Sequence, residues 1–131
     1  MAIPIGSRGE AAAVVSPENT ALAAGSGSLP VYATPCMAAL MEQAACAALA
    51  PCLDASQSSV GTRLQISHES ATPEGMAVRA EAEVTAVDGR RVLFRVAAYD
   101  EAGLIGQGEH ERCIIRTEPF LQRALAKRSA P

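Results

Sequence analysis

The chain has no tryptophan, and its only aromatic residues are Tyr32, Phe94, Tyr99 and Phe120. Its core must therefore be built from aliphatic and small side chains, which lets a helix and a sheet approach closely. Charged residues are sparse, 19% against 49% hydrophobic, a balance that sets the chain apart from disordered sequences. A net charge of −3 excludes a generally basic nucleic-acid surface, so acidic ligands would have to be met by local arginines. Cys36, Cys46, Cys52 and Cys113 form no CxxC pair and no metal-ligand spacing with a histidine. They read as reduced thiols of a cytoplasmic protein rather than as a disulfide framework. The first thirty residues carry Arg8, Glu10 and Glu18 and no continuous apolar run, which argues against a signal peptide. No stretch is long enough to span a membrane.

What is present centres on residues 34–49, TPCMAALMEQAACAAL. The spacing predicts one helix of roughly four turns. Thr34 suits the N-cap, Pro35 the first helical position, and Pro51 a stop that pushes Ala50 out of helical geometry. Met37, Leu40, Met41, Ala44, Ala45 and Ala48 recur at helical spacing, and the opposite side carries Ala38, Ala39, Cys46 and Ala47. A helix apolar on both sides is covered all round. Glu42 is its only charge, and such a carboxylate must be paired, protonated or employed.

The rest of the chain reads as one domain over residues 1–131, with residues 1–9 an irregular start and 117–131 a C-terminal helix and tail. Glu10–Val15 is a candidate first strand, and the small, Gly/Ser-rich 21–30 segment is a loop, a lid or a plain connector. After a loop at Asp54–Ser59, strict alternation over Val60–His68 puts Val60, Thr62, Leu64, Ile66 and His68 on one face. Met76–Val87 and Arg90–Tyr99 form a hairpin. A three-residue bulged turn with Gly89 left-handed keeps even residues opposite even and sets Glu81 against Arg95. Leu104–Arg116 is the last strand, with Gly106 and Gly108 on the face of His110 and Arg112. His110 reads as structural. One long helix and an antiparallel sheet make an α+β packing that leaves part of the helix for a second copy, hence a homodimer.

These segments resemble the hotdog fold and, within it, the fluoroacetyl-CoA thioesterase-like family. The resemblance runs from about Val31 to Leu121. It rests on Val31-Tyr32-Ala33-Thr34 followed by Leu40-Met41-Glu42, on Val60-Gly61-Thr62, and on His68-Glu69-Ser70-Ala71-Thr72-Pro73. It continues through Val87-Asp88-Gly89-Arg90-Arg91 and Ile105-Gly106-Gln107-Gly108-Glu109-His110-Glu111-Arg112. It implies an antiparallel sheet wrapped around one central helix, a homodimer or higher oligomer, and hydrolysis of an acyl-CoA. By position, the catalytic group falls on Thr34, Glu42 and His68, and the residues that hold the thioester fall on Gly61 and Arg112. No metal and no cofactor are implied, since coenzyme A is part of the substrate. The fluoroacetyl-specific enzyme of that family has Gly and Phe after the Thr and aromatic residues in the lid before it. This chain has Pro35, Cys36 and small residues there, so fluoroacetyl selectivity is not implied.

The residue types suit the chemistry. A thioester needs a nucleophile, a proton acceptor and donors at its carbonyl oxygen, and Thr34 sits where first-turn N–H groups point outward. Thr34 is equally readable as a mere N-cap, Glu42 as a structural carboxylate, and His68 as a strand-end histidine. Thr34 and Glu42 are about 12 Å apart along a helix, which points to a site assembled across two subunits. Arg112 is a partner for Glu42 or a surface ion pair. Arg63, Arg90, Arg91, Arg123 and Lys127 are candidates for coenzyme A phosphates but read better as solvated charge. A hotdog hydratase or dehydratase and a non-catalytic acyl-CoA binding module are the competing functions, because fold alone does not choose.

Overall fold

In the computed structural model, which describes residues 2–129, the order is β1 (Arg8–Val14), α1 (Ala21–Ala24), α2 (Thr34–Leu49), β2 (Gln57–His68), β3 (Ala77–Asp88), β4 (Arg91–Asp100), β5 (Gly103–Arg116) and α3 (Thr117–Ala126). The strands form one antiparallel five-stranded sheet in the order β1-β3-β4-β5-β2. It curls around α2, the hotdog arrangement the resemblance implied.

Small residues allow the close packing. Ala80, Ala82 and Ala98 line the concave face of the sheet and, like Met37, Met41, Ala44 and Ala45 of the helix, are at most 1% exposed. β1 crosses α2 backbone to backbone: a Cβ on Gly9 would overlap the Ala44 carbonyl and the Ala48 nitrogen. The opposite side of α2, with Pro35, Ala39, Gln43, Cys46 and Ala47, is exposed in the single chain. The sheet therefore covers one side of the helix, not its whole circumference. The convex face carries exposed ion pairs such as Arg95–Glu83 at 3.0 Å, each contributing about 0–1 kcal/mol.

Several expectations are revised. β1 starts at Arg8, paired with Glu83, so the irregular start is shorter than residues 1–9. The 21–30 segment contains α1, capped by the Thr20 hydroxyl and closed by Gly25 at φ 72°. Ala50 stays helical and leads into a 3-10 turn through Pro51 and Cys52. The Asp88 turn has two residues, Gly89 (φ 60°) and Arg90, between paired Asp88 and Arg91. Even residues do face even residues in the body of the hairpin, but a bulge between Val84 and Ala86 achieves it, and Glu83 rather than Glu81 opposes Arg95. β2 begins at Gln57 and bulges between Gly61 and Arg63. Thr62 is the extra residue, and its hydroxyl donates to the Glu111 carboxylate at 2.6 Å. The inward face of β2 is therefore Ser59 and Gly61 before the bulge and Leu64, Ile66 and His68 after it, opposite Ile114, Arg112, His110, Gly108 and Gly106.

Candidate active site

The helix start is built differently from a Thr-capped one. Ala33 is the N-cap, and its carbonyl accepts from the N–H groups of Cys36 and Met37, each at 3.0 Å. Thr34 is the first helical residue, and Pro35 follows it with no N–H to satisfy. Thr34 therefore makes no cap, and its exposed hydroxyl lies 2.7 Å from His68 Nδ1. The Thr34 N–H is the first-turn donor that meets no acceptor among the described residues.

His68 ends β2 on the inward face, opposite Gly106. Its Nε2 is buried without a hydrogen-bond partner among the described residues. Burial pushes the imidazole below its ordinary value of 6.5, against the opposing pull of a backbone contact at Ser70. A neutral His68 is a proton acceptor at neutral pH. Thr34 and His68 open on a cleft of about 250 Å³ that Ala21, Val31, Tyr32, Ser70 and Ala71 help to line. A larger hollow of about 570 Å³ lies on the convex face among Arg8, Glu81, Glu83, Arg95 and Tyr99 and holds no paired nucleophile and base.

Glu42 belongs to a second cluster. Its Oε2 stands 3.5 Å from Arg112 Nη1 and 4.0 Å from His110 Nε2, with 42% of the Glu42 side chain exposed. Arg112, 6% exposed, is fixed from the far side: Nε donates to the Ser59 hydroxyl at 2.8 Å and Nη2 to the Ser59 carbonyl at 3.0 Å. Gly61 lies directly beneath. A Cβ there would sit 2.5 Å from Glu42 Oε2 and 3.4 Å from Arg112 Nη1.

Within one chain, then, Thr34 joins His68, and Glu42 joins Arg112 and Gly61. The two groups start from opposite ends of an interval of about 12 Å on α2. Two further participants escape a reading by spacing. Ser59 falls in an expected loop. His110 reads as structural, although its strand face, shared with Gly106, Gly108 and Arg112, is the available signal. Arg91, a candidate phosphate ligand, is engaged by Glu111 at 2.7 Å. Among the described residues no group of three His, Cys, Asp or Glu side chains is placed to hold a metal ion, and no helix is long and apolar enough to cross a membrane.

Comparison with known proteins gives a consistent result. The model of the FlK family, described as fluoroacetyl-CoA-specific thioesterase, matches residues 15–118. A fluoroacetyl-CoA thioesterase of Streptantibioticus cattleyicolor is 42% identical over 100 residues, covering 76% of this chain and 72% of that protein. The solved structure of the fluoroacetyl-CoA thioesterase FlK superposes with a TM-score of 0.88 at 36% identity, covering all of both chains. A thioesterase superfamily member from Thermus thermophilus superposes with a TM-score of 0.87 at 35% identity, covering 97% of this chain and 96% of that one. With the hotdog architecture and the matched span taken together, this chain belongs to the FlK family of acyl-CoA thioesterases.

Proposed function

We propose that the chain, an acyl-CoA thioesterase by family, hydrolyses its substrate to the free acid and coenzyme A with Thr34, Glu42 and His68 as the catalytic group. Gly61 and Arg112 hold the thioester. The observation that carries this reading is the 2.7 Å contact between Thr34 Oγ1 and His68 Nδ1 at a helix start that no side chain caps. With the proton on His68 Nε2, the Thr34 hydroxyl donates to Nδ1. His68 then takes a proton from that hydroxyl, or from a water held on it, as oxygen attacks the carbonyl carbon. Negative charge develops on the carbonyl oxygen beside the helix N-terminus, where the Thr34 N–H has no acceptor among the described residues. The C–S bond breaks, and the thiolate leaves with the proton from His68. When the Thr34 oxygen attacks, the acyl group is left as an ester on Thr34. Glu42 then takes a proton from the water that cleaves this ester, freeing the acid and returning the Thr34 hydroxyl. When water attacks, Glu42 assists that water and the acid forms as the C–S bond breaks.

Two copies are needed to bring these parts together. The exposed apolar side of α2 around Glu42 is the surface a second copy would cover, giving a homodimer. Glu42 of one chain then stands beside Thr34 and His68 of the other. The four free cysteines suit a reducing, cytoplasmic setting.

The test is a panel of acyl-CoAs from short to long and from plain to halogenated or aryl. Turnover is followed by loss of thioester absorbance, because the protein's own thiols would react with a thiol reagent. Turnover of one class, abolished by Glu42→Gln, is the expected result. Binding of acyl-CoA with no turnover would move the chain to the binding-module reading, and hydration of an enoyl thioester would move it to the hydratase reading.

A further inference from the structure

His110 is 2% exposed, stacks on Phe94 with ring centroids 6.1 Å apart, and has both ring nitrogens engaged. Its Nδ1 lies 2.8 Å from the Arg63 carbonyl. A carbonyl only accepts, so Nδ1 carries the proton. Its Nε2 lies 3.2 Å from Arg112 Nη1. A guanidinium only donates, so Nε2 presents a bare lone pair. The two contacts together select one neutral tautomer. Arg112 Nη1 has two N–H bonds: one goes to His110 Nε2, and the other is turned toward Glu42 Oε2 at 3.5 Å. With Nε and one Nη2 N–H tied to Ser59, His110 engages the remaining edge of the guanidinium and helps to set where the second Nη1 N–H points.

We infer that His110 is a positioning residue of the hydrolytic site, whose unprotonated Nε2 aligns Arg112 with Glu42. This rests on the thioesterase reading of Arg112 and Glu42. The arrangement recruits the β2 bulge to the same end, because the Arg63 carbonyl that fixes the tautomer sits at the residue where the register shifts. The groups around the ring agree with a neutral imidazole. Glu42 faces it from α2, Arg112 and Glu111 from β5, the Arg63 backbone from β2 and Phe94 from β4. Burial lowers its proton affinity most and Arg112 lowers it further, outweighing the Arg63 carbonyl, Glu42 and Glu111. A protonated ring would set a second cation against Arg112 and compete with it for Glu42.

The test uses the full chain. First, nitrogen NMR of histidine-labelled protein at neutral pH is expected to show His110 protonated on Nδ1 and bare on Nε2; the opposite tautomer or a doubly protonated ring overturns the proposal. Second, His110→Phe keeps the ring but removes the acceptor and is expected to lower kcat/KM about tenfold or more. His110→Gln restores an acceptor and is expected to recover most of that loss. In an Arg112→Ala background, His110→Phe is expected to change the rate by less than about threefold, since the alignment has nothing left to act on. A packing role would instead give the same loss in both backgrounds, and that result overturns the proposal. Wild-type protein that turns over no acyl-CoA would defeat the thioesterase reading, while the NMR result would still decide the tautomer.

Discussion

Thr34 Oγ1 lies 2.7 Å from His68 Nδ1 because Ala33, not Thr34, occupies the cap of α2. A capping threonine would have its hydroxyl turned back on its own helix. The shift by one residue frees it for the histidine at the end of β2. Structural and chemical roles therefore separate in one substitution. Thr34→Ala is expected to change folding stability by less than about 0.5 kcal/mol, the scale of an ordinary surface change, rather than the roughly 1 kcal/mol of a lost cap. The same variant is expected to lose about a hundredfold or more in kcat, while Thr34→Ser retains most of it. A chemical melt and a rate measurement on one preparation read both quantities. A large stability loss in Thr34→Ala would show the hydroxyl to be structural after all.

The two histidines are expected to make the protein acid-sensitive in a definite direction. Burial holds both His68 and His110 below the ordinary value of 6.5. Below that value the unfolded chain binds protons that the folded chain refuses, so unfolding becomes easier as pH falls. Stability is expected to be highest above pH 6.5 with respect to these groups and to decline as pH drops from there toward the folded values. With His68 as the proposed base, activity is expected to run a related course, since a protonated imidazole accepts no proton. The acidic limb of kcat/KM is therefore expected below 6.5, not at or above it. Thermal melts and rate profiles between about pH 5 and about pH 8 check both. An acidic limb centred above neutral would contradict a buried neutral base.

Much of this architecture is legible from spacing alone. The period of Met37, Leu40, Met41, Ala44, Ala45 and Ala48 marks the helix and its buried side, and all six are buried. The alternation from Val78 to Val84 and from Val92 to Ala98 marks the hairpin. The errors in the strand faces share a cause: strict alternation has no place for an extra residue. Thr62 and Thr85 sit in bulges, and at each bulge the strand's side chains change faces. Alternation therefore assigns Thr62 to the inward face and misses Ser59 and Gly61, the residues that share that face with Arg112. The positioning role inferred for His110 is hidden for a related reason. Its partners are the backbone of Arg63 and the side chain of Arg112, contacts that exist only once the strands are in register.

Gly61 offers a steric test of the Glu42 cluster. Its need for glycine does not come from a left-handed backbone, since its φ is not positive. It comes from the 2.5 Å that a Cβ would leave to Glu42 Oε2 and the 3.2 Å it would leave to His110 Cε1. Glu42 is 42% exposed and can swing aside, so the clash is relieved by displacing the carboxylate rather than by unfolding. Gly61→Ala is thus expected to remain folded, with stability lowered by no more than about 1 kcal/mol. Its kcat/KM should fall about tenfold or more because Glu42 leaves Arg112. A fully active Gly61→Ala would show that the position of Glu42 in this cluster does not matter to turnover.

The separation of Thr34 from Glu42 along α2, about 12 Å, gives a test in which two inactive proteins become active on mixing. Thr34→Ala and Glu42→Gln are each expected to be nearly inactive as homodimers. After they are unfolded and refolded together, about half of the dimers contain one copy of each by random pairing. If each site takes Thr34 from one chain and Glu42 from the other, one site of a mixed dimer carries both substitutions and the other carries neither. The intact site works, so about a quarter of wild-type activity should return. If both residues served a site within one chain, every site in the mixture would still lack one of them and no activity would return. The outcome depends only on which chain supplies each side chain, so it decides the assembly of the site whatever acyl group is preferred.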